Sequence, residues 1–144
     1  LTEVGADNAE DRPVVIRRAV CGSFGRFLAA LIEHYAGAFP LWLAPEQVRI
    51  LPISEAWTED SRAFVTELKA AGLRATLADR DSLSYRIREA EMRKVPYRGV
   101  IGERESAQGT VAVRKRGEGK KQEISDRKAF VEQLTGEVRS RSLG

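Results

Sequence analysis

The sequence predicts an α/β fold, a mixed β-sheet with helices packed on it, preceded by a shorter strand-and-helix unit. Three observations carry the prediction. From Val48 onward, short aliphatic runs alternate with stretches whose apolar residues recur at helical spacing. Helical crossovers between consecutive strands imply parallel neighbours, whereas the short connection between glycines 102 and 109 implies one antiparallel pair. Pro40 and Pro45 forbid a continuous helix between residues 36 and 47, which separates the sheet from what precedes it.

In order, residues 1–11 are acidic and aperiodic and read as a flexible arm. Val14-Val15-Ile16 is a β-branched run suited to a buried strand. Ser23 caps a helix in which Phe24, Phe27, Leu28, Leu31, Ile32 and Tyr35 share one face, and Gly37 ends it. The apolar crossing that follows marks the boundary between residues 12–45 and a domain over 46–144. Val48 to Ile53 is a strand. Thr58 caps a helix with Glu59 and Asp60 in its first turn, Phe64, Val65 and Leu68 on its apolar side and Gly72 at its end. Leu73 to Leu77 is the next strand. Ser82 opens a third helix with Leu83, Ile87 and Ala90 facing inward and Arg86, Arg88 and Arg93 outward, and Val95-Pro96 stops it. Tyr97–Ile101 and Thr110–Arg114 form a strand pair joined by a polar turn. In the second of these, Val111 and Val113 point one way and Thr110, Ala112 and Arg114 the other. Gln122–Ser125 adds a short strand, and Ser125 caps a last helix carrying Phe130, Val131, Leu134 and Val138.

The chain has 144 residues, enough to bury a core without metal or disulfide. No apolar run approaches ~18 residues, so no membrane span is expected, and no secretory signal is visible. A single cysteine, Cys21, excludes an internal disulfide framework and fits a reducing cytoplasm. Net charge is only +3, but it is unevenly spread. Residues 1–11 carry −4, and residues 93–144 hold 13 basic against 7 acidic side chains. That asymmetry suits either a solvated basic surface or a polyanionic partner.

No catalytic constellation is present. His34, the only histidine, sits late in its helix, where a helix-end cation explains it. One Cys and one His cannot close a zinc site, and no phosphate-cradling glycine motif occurs. Trp42 and Trp57 fall in apolar connections and read as packing. Tyr85 and Tyr97 flank basic residues, where either base stacking or core burial fits. The arginines at 114 and 116, beside a loop bearing Glu103 and Glu105, offer donors and acceptors together.

Particular segments carry a family resemblance. Arg12-Pro-Val-Val-Ile-Arg-Arg-Ala, Gly22-Ser-Phe-Gly-Arg-Phe and Ile32-Glu-His-Tyr-Ala-Gly-Ala-Phe-Pro-Leu-Trp-Leu-Ala-Pro-Glu-Gln-Val resemble the end of a bacterial threonyl-tRNA synthetase catalytic core. Residues 48–143, with Tyr85-Arg-Ile-Arg-Glu, Val95-Pro-Tyr and Gly109-Thr-Val-Ala-Val-Arg, resemble that enzyme's C-terminal anticodon-binding domain. The resemblance implies a five-stranded mixed sheet that grips the anticodon loop of threonine tRNA, with residues 12–45 as a remnant of the class II core. Unstacked anticodon bases expose edges that a guanidinium or a carboxylate can meet. By position, Arg114 and Glu105 match base-contacting residues. Arg80-Asp81 matches a segment where the family usually has Arg-Asn, and Arg86, Arg88 and Arg116 complete the expected RNA-binding set.

Arg26 matches the motif-three arginine that holds ATP phosphate, in vestigial form because Gly25 replaces the usual glutamate. Arg17 replaces a zinc-ligand histidine, so no metal is expected. ATP, magnesium and zinc would belong to a full-length parent enzyme and not to this chain. The expectation is a cytoplasmic tRNA-binding module that does no chemistry alone. The alternative is a free-standing paralogue in which residues 12–45 dock on a partner or a second copy as an interaction or regulatory module.

Overall fold

The structure is a computed structural model that describes residues 2–142 other than Gly5, Asp7, Pro13, Arg17, Val20, Cys21 and Lys120. Arg17 and Cys21, both singled out above, therefore lie outside the described residues. The chain divides into two compact units, residues 1–31 and 32–144.

In the first unit, β1 (Glu3–Val4) pairs antiparallel with β2 (Glu10–Asp11), where the sequence suggested an arm without structure. Asn8 turns the hairpin at φ 63°, a left-handed conformation that asparagine tolerates. Residues 14–16 are not a strand, and Val14 and Ile16 are 89% and 87% exposed. A β-branched run supplies propensity, but a strand needs a neighbour to pair its backbone. Helix α1 (Phe24–His34) starts as expected, with Ser23 Oγ accepting from the Arg26 amide at 3.4 Å. On its apolar stripe Phe24, Phe27, Leu28 and Ile32 are exposed and Leu31 is half-buried.

The second unit is built on a five-stranded mixed sheet. Its strands are β3 (Val48–Pro52), β4 (Ala75–Leu77), β5 (Tyr97–Ile101), β6 (Thr110–Lys115) and β7 (Glu123–Asp126). Their spatial order is β4-β3-β5-β6-β7, with β3 parallel to β4 and β5, and β6 antiparallel to β5 and β7. The central strands β3 and β5 are buried along their whole length, which is why they read as nearly unbroken apolar runs.

Helix α2 (Thr58–Ala70) and helix α5 (Arg127–Ser140) cover one face. Phe64 and Leu68 from α2 and Phe130 and Leu134 from α5 pack there against Val48, Ile50, Ile101, Val111 and Val113. Each fully buried side chain of this size contributes about 1.5–3 kcal/mol. Gly99 lies in the middle of this layer, where an added Cβ would sit 2.7 Å from Ile50 and 2.8 Å from Val111, so only glycine fits. Helix α3 (Leu83–Met92) covers part of the other face, with Leu83 and Ile87 packed on Leu51, Val100 and Ala112.

Three details differ from the sequence expectation. Thr58 is the first residue of α2 rather than its cap, and Trp57 stands at the cap position without a side-chain hydrogen bond. The 102–109 connection is a short helix, α4 (Glu103–Gln108), not a plain turn. Gly109, at φ 65°, ends it and starts β6. Helix α5 is capped by Asp126, whose carboxylate accepts from the amides of Lys128 and Ala129 at 2.9 and 3.2 Å. Ser125, the expected cap, is paired with Val111 inside β7.

Residues 36–45 fall in the same compact unit as the sheet. The prolines of this crossing leave carbonyls that no helix uses, and side chains of the sheet unit take them up. Gln47 Nε2 donates to Leu41 O at 2.8 Å, Arg74 donates to Ala44 O and Trp42 O at 2.8 and 2.9 Å, and Lys94 Nζ donates to Ala36 O.

The two helices on the first face are joined by a bidentate pair. Arg127 donates to both oxygens of Asp60, at 2.9 and 2.6 Å, while its guanidinium lies 5.2 Å from the Phe64 ring centroid. The Arg127 hydrogen bonds hold the Asp60 carboxyl below its usual value of 3.8. A depressed carboxylate stabilises the fold above the unfolded pKa, and that stabilisation is lost as pH falls through the folded one. Asp60→Asn should therefore lower stability at neutral pH, and its deficit relative to the unaltered chain should shrink below about pH 4. Urea denaturation across pH checks this.

Candidate nucleic-acid interface

The cross-strand register sets one row of side chains on the α3 face of the sheet. Thr76 on β4 stands opposite Arg49 on β3, Arg49 opposite Arg98 on β5, and Arg98 opposite Arg114 on β6. Three guanidinium groups thus lie side by side. Like charges directly opposite on neighbouring strands destabilise a sheet, so each needs a partner.

Arg49 is fully engaged. It binds Glu46 through two hydrogen bonds of 2.6 and 2.8 Å, and Glu89 of α3 at 3.0 Å. The Glu46 hydrogen bonds raise the Arg49 pKa further. Burial pushes Glu46 up, but the bonds from Arg49 and Thr76 outweigh it and hold that carboxyl below its ordinary value. Arg98 is buried and donates from Nη1 to Glu91 of α3 at 2.6 Å. Arg114 has a different partner: Nε and Nη2 donate to the neutral Gln122 Oε1 at 3.2 and 2.9 Å. Among the described residues no carboxylate pairs with it.

Beyond α3, no other helix of the sheet unit's described residues packs on this face. Ile124 on β7 is 65% exposed there, and Arg114 is half-buried. The open half of the face therefore presents a guanidinium, an amide and an apolar side chain on a rigid support.

The expected RNA-binding residues distribute unevenly around this surface. Arg80 and Asp81 are exposed in the loop between β4 and α3, and Asp81 has φ 69°, which asparagine or aspartate adopts more readily than most residues. They line a cleft of about 330 Å³ that Arg49 and Glu89 also line. Arg88 is exposed on the outer side of α3, where Tyr85, Met92 and Arg93 share its surroundings. Arg26 is exposed in the first turn of α1.

Glu105 lies on α4 and accepts from the Gly102 amide at 3.1 Å. It sits where β6 begins, whereas Arg114 lies four residues further on, about 13 Å along the strand. Each therefore has its own partner within the chain, Gly102 for Glu105 and Gln122 for Arg114.

Two expectations need correction. Arg86 does not face outward: it is 5% exposed, and its Nη1 donates to Pro52 O and Ala78 O at 2.9 and 2.7 Å. Arg116 is also committed within the protein. Its Nη1 donates to Lys94 O at 2.7 Å and its Nη2 to Ala38 O and Phe39 O at 3.1 and 2.9 Å. Burial lowers its pKa from the usual value. Arg49 and Arg98 went unnoticed in the sequence. Each is the second residue of its strand, one after Val48 and Tyr97, and that repeat was the available signal.

Tyr97 is buried and donates to Glu137 at 2.8 Å, and burial followed by that bond raises its pKa. It belongs to the core, as one of the two readings held. Among the described residues no three His, Cys, Asp or Glu side chains gather as a metal site requires. Nor is any helix of the described residues long and apolar enough to cross a membrane.

A mixed sheet with arginines in register on one face, beside a covering helix, carries the donors that a nucleic acid needs. The comparisons make this specific: residues 47–137 match the anticodon binding domain family, and the chain belongs to that family. It is 44% identical over 144 residues to a threonine–tRNA ligase of Carboxydothermus hydrogenoformans, covering 98% of this chain and 22% of the relative. It is 50% identical over 122 residues to the corresponding ligase of Phocaeicola vulgatus, covering 84% of this chain and 19% of the relative. The RNA binding domain of threonyl-tRNA synthetase from Cryptosporidium parvum superposes with a TM-score of 0.76 at 29% identity, covering 82% of this chain and 30% of that one. The chain thus spans about a fifth of the length of the curated relatives it matches.

Arg116 ties the crossing to the sheet through two of its carbonyls, Ala38 O and Phe39 O, and also holds Lys94 O. Arg116→Ala should cost about 1.5–3 kcal/mol, the range for hydrogen bonds to a charged group. Hydrogen exchange should speed up at the amides of residues 36–44, where that of β3 and β5 stays slow.

Proposed function

We propose that this chain binds the anticodon arm of threonine tRNA, as part of, or derived from, the C-terminal region of a threonyl-tRNA synthetase. Aminoacylation of that tRNA belongs to the full-length enzyme. This chain contributes recognition. The observation that carries the reading is Arg114, which shares a row with two carboxylate-paired arginines yet is itself held only by the Gln122 amide oxygen. A neutral acceptor orients a guanidinium without neutralising it, so its charge is left for a ligand. Loop bases lie unstacked with their edges free, and the open β6–β7 face lets them approach. Glu105, at the far end of β6, serves a different nucleotide. Arg80, Asp81 and Arg88 flank α3 and meet the RNA from its other side.

One observation favours a second role for the N-terminal residues. On the apolar stripe of α1, Phe24 is 79% exposed and Phe27, Leu28 and Ile32 are exposed too, and such a stripe suits a protein surface, either further synthetase or a second copy. Concentration-dependent association in light scattering would reveal the second copy.

Binding should weaken with salt by roughly 0.7 log units per contacted phosphate per decade. Arg114→Ala should cost on the order of 1–3 kcal/mol and relax base preference. Titration of labelled anticodon stem-loops, threonine and non-threonine, checks both. If the variant distinguishes the stem-loops as well as the unaltered chain does, Arg114 is not a base-reading residue.

A further inference from the structure

We propose that the cleft between the end of α3 and the loop after β6 is a phosphate subsite, in which Arg98 grips a backbone phosphate of the bound RNA. The proposal rests on the RNA-binding reading above and adds to it a group that reading does not use.

The cleft has a volume of about 290 Å³. Lys94, Arg98 and Arg116 line it against one carboxylate, Glu91, and Gly117 and Gly119 form its lip. Its balance of charge is therefore positive. Arg98 is only 5% exposed, and its Nε has no hydrogen-bond partner. A buried guanidinium N–H without an acceptor is costly, and native proteins rarely leave one so. Glu91 holds Nη1 at 2.6 Å, which fixes the plane of the guanidinium and leaves the Nε donor for another oxygen.

The neighbouring groups favour an anion. Arg116 spends its hydrogen bonds on Lys94 O, Ala38 O and Phe39 O, so it supplies charge to the cleft without competing for the ligand. The last carbonyls of α3 would repel an anion, but they are occupied. The Lys94 amide donates to Glu91 O at 3.0 Å and the Val95 amide to Ala90 O at 3.1 Å. At the lip, positions where Gly117 and Gly119 would carry a Cβ are open space. Arg98 also stands directly opposite Arg114, one strand spacing of about 4.8 Å away. A phosphate at Arg98 and a base at Arg114 thus belong to adjacent points on one RNA strand.

The test uses the full chain, a labelled stem-loop RNA with a threonine anticodon and, separately, inorganic phosphate. Arg98→Met keeps the bulk and removes the donors. It should weaken RNA binding about tenfold in low salt and reduce the salt slope by roughly 0.7, leaving base preference unchanged. Glu91→Gln retains an acceptor for Nη1 but removes the negative charge, and should tighten binding a few-fold. Opposite effects from two bonded neighbours would not arise from a structural role alone. In the unaltered chain, inorganic phosphate should shift the Arg98 Nε–Hε resonance.

An unchanged salt slope in folded Arg98→Met, or weaker binding by Glu91→Gln, overturns the subsite. Should Arg98→Met fail to fold, the Glu91→Gln titration and the resonance decide. If the unaltered chain binds no RNA, the RNA-binding reading fails. A phosphate-induced shift in that case leaves an anion site and removes RNA as its occupant.

Discussion

Three guanidinium groups in register across β3, β5 and β6 impose the constraint on which the sheet's α3 face depends. Aligned like charges cost stability unless something offsets them. Helix α3 does so for two of them. Glu89 and Glu91 are two residues apart, hence about 200° apart around the helix, and they emerge on opposite flanks. One reaches Arg49 and the other Arg98. The helix is therefore held by its apolar contacts with Leu51, Val100 and Ala112 and by an ionic contact along each side. Its coverage reaches Ala112 on β6 but not Arg114, which is left with Gln122.

The same economy of partners explains the crossing over residues 36–45. A stretch broken by prolines cannot satisfy its own carbonyls. Gln47, Arg74, Lys94 and Arg116 supply the donors, from four different places in the sheet unit. Arg116 follows directly on β6, two residues after Arg114, so the end of that strand also holds the crossing.

Much of this was legible in the sequence, and the failures have physical causes. The strand–helix alternation from Val48 and the split of Val111 and Val113 from Ala112 followed from periodicity and reappear in the packing. Arg86 was misplaced because a charge was assumed to face water. Yet it falls three residues after Leu83 and four before Ala90, on the buried stripe of α3, where two carbonyls satisfy it. Helix α4 was invisible because its six residues, Glu-Arg-Glu-Ser-Ala-Gln, offer hardly any apolar rhythm. Glu105, three residues after Gly102, was its only signature. Pairing Arg114 with Glu105 treated proximity in sequence as proximity in space, which the extended strand between them denies. The arginine row lay beyond reach, since strand register is a tertiary property.

On the reading proposed above, RNA meets the α3 face at Arg114 and Ile124, on β6 and β7. Photocrosslinking of a threonine stem-loop with thiouridine in its anticodon loop, followed by mass spectrometry of the adducts, tests it most directly. Adducts should fall on peptides carrying Arg114, Gln122 and Ile124. Adducts concentrated instead on α2 or α5, across the sheet, would contradict it.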